Sequence, residues 1–247
     1  KIHPTYIQEM LSDKRYNKKN YNLILKSLKD TDSRKYHLHK LFLPNNIFVK
    51  KPKSHWNPEI NLNNKNILII GPSESVKKNR LKIETFIKKN KIFVIGVNTA
   101  DGISENLINL RSVCHPKRII ADALFHNNSK TTLVMPSSTL PTQLNKTIGT
   151  ENKFILDYGL QLNGKKKISI FKNYCSIPKP LIILYTLSIA LSGKANRIFL
   201  AGFDGFKNDD PASDETSYYI NRITSKFKKV FLKTITKSKL NLNYYKI

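Results

Sequence analysis

Residues 66–76 read NILIIGPSESV, and this segment decides the fold. Four apolar residues, Ile67 to Ile70, run directly into Gly71-Pro72-Ser73, and a Lys-rich helical pattern follows. An apolar run closed by a glycine turn and then a helix is how a buried parallel strand delivers backbone N–H groups to a bound anion. The pattern recurs twice. Ile92 to Ile95 leads to Gly96-Val97-Asn98, and Arg197 to Leu200 leads to Ala201-Gly202-Phe203-Asp204-Gly205. Three apolar strands, each ending in glycine with a polar residue close behind, predict one crevice at the carboxyl end of a parallel sheet. That is where open α/β folds bind ligands.

Strand and helix alternate outward from this segment. Helices are predicted over 75–89, 179–192 and 218–235, and strands over 92–97, 118–121, 132–135 and 197–200. Weaker strands fall at 154–156 and 168–171. The alternation predicts an α/β fold: a three-layer, Rossmann-like, mostly parallel sheet, here over residues 59–247. Residues 1–58 read as a short helical arm and a linker. Ile7, Met10 and Leu11, then Tyr21, Leu25 and Leu28, have helical spacing, and residues 43–58 hold three prolines. The chain opens at Lys1 rather than Met and reads as part of something longer.

The 247 residues suffice for one large domain with an appendage, and 40% hydrophobic content suffices for a core. The net charge of +26 has two readings. One is a polyanion partner: nucleic acid, an anionic membrane surface or a phosphorylated substrate. The other is base-composition drift expressed as Lys, Asn and Ile. The charge is spread along the chain and carried mostly by Lys, a solvated point charge, so drift is favoured and no specific nucleic acid is expected. Cys114 and Cys175 have no metal-ligand spacing and read as reduced structural thiols. No signal peptide and no bilayer-length apolar run occurs, so a cytoplasmic location is expected. Phe227, Val230, Phe231 and Ile235 with Lys226, Lys228, Lys229 and Lys233 around them read either as a core-facing stripe or as an interfacial helix in peripheral membrane contact.

Candidate ligand residues cluster at the strand ends. Ser73 or Ser75 either caps the following helix or, with Glu74 and Val76, turns backbone amides toward a phosphate. Asn98 offers a paired donor and acceptor to a base or ribose. Asp122 and Asp204 could hold a metal, act as acid and base, bond a ribose hydroxyl or cap a helix. Metal is the least favoured reading, and no Mg²⁺ dependence is expected. Gly71, Pro72 and Gly202 allow close backbone approach. His115 and His126 read as loop residues, and no nucleophile–histidine arrangement can be built, so no catalytic residue is assigned.

The GPS loop, Asn98 and the run Ala190-Leu191-Ser192-Gly193 to Ala201-Gly202-Phe203-Asp204 resemble the bacterial sialyltransferase architecture, in which the GPS loop and the Asn grip a cytidine nucleotide sugar. Two departures weaken sialyl transfer itself. Pro178-Lys179-Pro180 stands where that family has Ser/Thr-Gly, and no histidine follows Asp204. Ile2-His3-Pro4-Thr5-Tyr6-Ile7-Gln8 resembles the post-barrel segment of two-part proteins of bacterial surface-polysaccharide synthesis. In these an aldolase-like barrel of the hydroxymethylglutaryl-CoA lyase superfamily precedes a GPS-type α/β domain. The resemblance implies a nucleotide-sugar-binding, glycosyltransferase-like domain with an aldolase-like domain in cis. Its alternative is a non-catalytic module that docks or regulates that barrel.

If the charge is drift, random duplex DNA binds this chain with Kd of about 10⁻⁴–10⁻⁶ M at physiological salt, steeply weakened by more salt. A filter-binding salt titration checks this. Sequence-preferring binding that survives high salt overturns it.

Overall fold

In the computed structural model, residues 47–142, 145, 148, 154–164, 167–205, 211–227 and 230–247 are described. Residues 1–46, which hold the predicted helical arm, and residues 206–210, with Asp209 and Asp210, lie outside them. Seven parallel strands form the main sheet: β1 (Asn66–Ile70), β2 (Phe93–Val97), β3 (Leu110–Ser112), β4 (Thr132–Met135), β5 (Ile155–Asp157), β9 (Arg197–Ala201) and β10 (Phe231–Thr234). Their order is β10-β9-β1-β2-β3-β4-β5. Between β5 and β9 the chain builds a smaller sheet. It comprises β6 (Gly159–Leu162), β7 (Ser169–Ile170) and β8 (Tyr174–Ile177), with β8 in the middle.

The unbroken apolar run of β1 follows from burial on both faces. Ile67 and Ile69 enter one core cluster, and Leu68 and Ile70 enter the other. A strand alternates its side chains, so a strand covered on both sides has no position left for a polar residue. Helix α1 (Glu59–Leu62) precedes β1, and helix α3 (Arg80–Lys89) covers one face through Ile83 and Ile87. Helices α6 (Ile182–Ser192) and α7 (Pro211–Lys226) cover the other through Leu184, Leu187, Ile220 and Ile223. The fold is thus a three-layer, Rossmann-like α/β sandwich. The residues at 47–58, read as linker, pack on this body: Phe48 and Trp56 are buried, and Trp56 N–H donates to Asp157 O at 3.2 Å.

Several predicted elements change. Residues 118–121 are no strand. They belong to α4 (Pro116–Ala121), which opens on a proline, a residue suited to a helix's first turn. A second short helix, α5 (Ala123–Asn128), follows. The helix predicted over 75–89 is broken at Asn79, whose side chain donates to Ser75 O at 2.8 Å and competes with the helical ladder. The break separates α2 (Glu74–Lys78) from α3. The last helix ends at Lys226, and Phe231–Thr234 is a strand beside β9. Ile235 is buried, and Phe231 meets Phe199 edge to face at 5.6 Å. The interfacial helix that suggested membrane contact is therefore replaced in part by the sheet's edge strand. Among the described residues no helix is long and apolar enough to cross a membrane.

The chain moves outward from β1 to β5 and then returns to β9 on β1's other side, so strand order reverses between β1 and β9. There Ile70 pairs with Ala201, and Gly71 N–H donates to Ala201 O at 2.8 Å. Gly71 then lies against Gly202. A Cβ on Gly71 would overlap the Gly202 carbonyl oxygen, and one on Gly202 would stand 2.5 Å from both Gly71 O and Val76 Cγ2. Gly202 also has φ +74°, a conformation that side chains strain. Gly71→Ala and Gly202→Ala should each lower unfolding stability by at least about 2 kcal/mol. The double variant should lose less than the sum, because the two share one contact. Denaturant unfolding of the three variants checks this.

Candidate functional site at the strand switch

The carboxyl ends of β1, β2 and β9 enclose a crevice of about 230 Å³. Pro72 and Ser73 come from the β1 turn, Val97 and Asn98 from the β2 end, and Gly202 to Gly205 from the β9 end. The amino end of α6, Leu181 to Ile183, forms another wall, with Thr216 of α7 and Leu240. Of the sequence-predicted residues, Pro72, Ser73, Asn98, Gly202 and Asp204 line this space together.

The others lie elsewhere. Gly71 is beneath the crevice, occupied by Gly202, so its missing side chain serves strand packing rather than ligand approach. Glu74 is exposed on α2 and pairs with Lys77 at 3.7 Å. Ser75 is bound to Asp204: its backbone N–H donates to Asp204 Oδ2 at 3.3 Å, and its hydroxyl donates to Asp204 Oδ1. Asp122 stands between α4 and α5, pairs with Arg118 at 2.7 Å and is not part of the crevice wall. His126, read as a loop residue, is buried in α5 against the Phe125 ring at 5.6 Å.

The Ser75–Asp204 bonds alter the anion reading. A carboxylate already sits at the amino end of α2, where the helix dipole favours negative charge. The phosphate predicted at the Ser73–Val76 amides would have to displace it. By contrast α6, eleven residues long, begins at N-cap Leu181 with no side-chain cap, and that end opens into the crevice. Sequence reasoning missed α6's role, because Pro180-Leu181 carries none of the polar signals of a helix start.

Asn98 lines the crevice at the carboxyl end of β2. It adopts φ +50°, a conformation Asn tolerates better than most side chains. Its N–H donates to Ser112 O at 2.9 Å. Its carboxamide Oδ1 is buried and has no hydrogen-bond donor among the described residues.

A larger cleft of about 930 Å³ lies near the amino ends of β3 and β4, lined by Glu105, Asn109, Arg111 and Thr131 among others. Its central polar groups are bonded to one another. Glu105 accepts from Arg111 Nε at 3.0 Å, Ser129 Oγ at 2.8 Å and Thr131 Oγ1 at 2.7 Å. We therefore place the candidate site at the smaller crevice, where strand ends and an unsatisfied acceptor coincide. Among the described residues no three His, Cys, Asp or Glu side chains come close enough together to hold a metal ion. Both cysteines are buried without a disulfide, and burial pushes the Cys175 thiol up to about 12.

These features define a doubly wound α/β fold with a crevice at its switch point. No family model and no curated protein matches the chain. Among solved structures it is similar to the MAf glycosyltransferase from Magnetospirillum magneticum AMB-1, with a TM-score of 0.58, 12% identity and 83% of this chain covered. The chain spans 37% of that protein's length. Likeness at this identity concerns the fold alone.

Burial acts to raise the Glu105 pKa, but the bonds from Arg111, Thr131 and Ser129 and the Arg111 charge outweigh it and bring it from 4.5 to about 2. A depressed carboxylate stabilises the fold above its unfolded pKa, and that stability is lost as pH falls through the folded one. Glu105→Gln should therefore flatten the fall in stability between about pH 4.5 and pH 2. Denaturant midpoints across that window check this.

Proposed function

We propose that the crevice binds a nucleotide or nucleotide sugar, and that the chain is the glycosyltransferase-like domain of a surface-carbohydrate protein. The observation that carries this reading is the buried, unsatisfied Asn98 Oδ1 at the switch point. An unpaired buried acceptor costs about 1–3 kcal/mol, which a base N–H or ribose O–H would recover once the carboxamide turns into the crevice. Val97, Leu181, Ile182 and Phe203 offer apolar surface to a ring face. The uncapped α6 amino end supplies N–H groups on the same side. A crevice of about 230 Å³ is below the usual range for whole ligands, so one ring would be enclosed and the remainder held at the mouth. The segment Ile2–Gln8 extends the proposal to an aldolase-like barrel in cis.

One observation favours a second reading. Asp204 is the sole ionisable side chain among the described crevice-lining residues, and both its oxygens are engaged by Ser75. A module that binds without catalysing, and docks or regulates the barrel, fits that better than a transferase with Asp204 as base.

A thermal-shift panel of nucleotides and nucleotide sugars tests the binding reading. A ligand at 100 times its Kd adds about 2.7 kcal/mol, or about 5–10 °C in Tm for a domain of this size. Asn98→Ala should weaken binding about tenfold, a loss of about 1.4 kcal/mol. If no member of the panel shifts Tm, the nucleotide reading is wrong and the docking reading replaces it.

A further inference from the structure

We propose that Arg111, backed by Glu105, is the positioning residue of the crevice: its guanidinium holds the β2 turn that presents Asn98 to the ligand. The proposal takes its functional consequence from the nucleotide reading, while its geometry stands independently.

Arg111 lies in β3, and its side chain is only 1% exposed. It pairs in register with Gly96 of β2. The guanidinium passes over that glycine, where a Cβ would stand 3.2 Å from Nη1. It then donates from Nη1 to Asn98 O at 3.1 Å and from Nη2 to Ala100 O at 3.0 Å. These two carbonyls bracket the turn in which Asn98 takes its left-handed conformation. Asn98 N–H is held from the other side by Ser112 O, the residue after Arg111. The turn is thus fastened at both ends to one strand.

A buried guanidinium needs a partner, and Glu105 supplies it through both carboxylate oxygens. Ser129 and Thr131 fix Glu105 in turn, and the Phe125 ring lies 4.7 Å from the guanidinium carbon. The planar fork reaches the two carbonyls and the carboxylate at once. A lysine ammonium, a point donor on a flexible stem, cannot hold that geometry. The larger cleft is therefore the outer side of the same device: its polar wall holds the pair that sets Asn98 on the inner side.

Arg111→Lys and Glu105→Gln, alone and in an Asn98→Ala background, test this with CMP and UDP as probes and with amide hydrogen exchange. Arg111→Lys should weaken binding of whichever nucleotide the parent binds about tenfold or more. In the Asn98→Ala background it should change affinity less than twofold, because the residue it positions has gone. Asn98 N–H exchange should accelerate at least tenfold, while exchange at Leu68 in β1 stays the same. Glu105→Gln, which retains an acceptor and loses the charge, should shift both readouts in the same direction by a smaller factor, and it decides the matter if Arg111→Lys fails to fold. Equal affinity losses in both backgrounds, or an unchanged Asn98 amide, overturn the proposal. If the parent binds neither nucleotide, the nucleotide reading fails for these probes, and the exchange result alone decides whether Arg111 positions the turn.

Discussion

The contact between Gly71 and Gly202 is the constraint on which the rest of the structure depends. Two neighbouring parallel strands end together there, and their chains must leave in different directions. One turns into α2, and the other continues toward α7. With no Cβ on either side, the two backbones touch. That closeness lets Asp204 reach Ser75 and cap α2. It also sets the floor of the crevice. A side chain at either position would force β1 and β9 apart at the point where strand order reverses.

Beside the crevice a guanidinium is paired with a carboxylate. Arg111 is buried while Glu105 keeps 44% of its side chain exposed, and taking a guanidinium out of water rarely adds stability over a well-packed apolar residue. The Arg111–Glu105 pair therefore calls for another reason, and its bonds to the β2 turn supply one. A carboxamide in a left-handed turn with an unsatisfied oxygen is a strained and costly arrangement. It persists because both of its flanks are hydrogen-bonded to β3. The interior around Arg111 is accordingly organised about a polar residue that the local sequence, Leu110-Arg111-Ser112, gives no reason to bury.

Much of the central sheet was legible from residue pattern. The β1, β2, β4 and β9 runs are long enough, and apolar enough on both faces, that burial alone identifies them. The edges were not. β3 has three residues with a charge in the middle, which no periodicity marks. Pro116 was a helix signal set against an Ile-rich run, and the proline decided it. Phe231–Thr234 continued a helical stripe well enough to be read as helix, yet pairing with β9 satisfied its backbone better. Pro72, Ser73, Asn98, Gly202 and Asp204 were legible as one cluster because parallel strands point their ends to one side. Asp122 and Glu74 were misplaced because proximity to a strand end in sequence does not say which way a helix then turns.

The sequence by itself determined that this chain builds a parallel α/β sheet whose glycine-closed strands end on one side, because an apolar strand buried on both faces leaves a local record. Only the tertiary structure decided what those ends do. Whether Gly71 admits a ligand or a neighbouring strand depends on Gly202, 131 residues away. Whether Asp204 faces a substrate or caps a helix depends on Ser75. How the Asn98 turn is held depends on a guanidinium from the next strand. Each is a matter of which distant group fills the space beside a residue, and that is settled by packing across strands, which no spacing along one strand encodes.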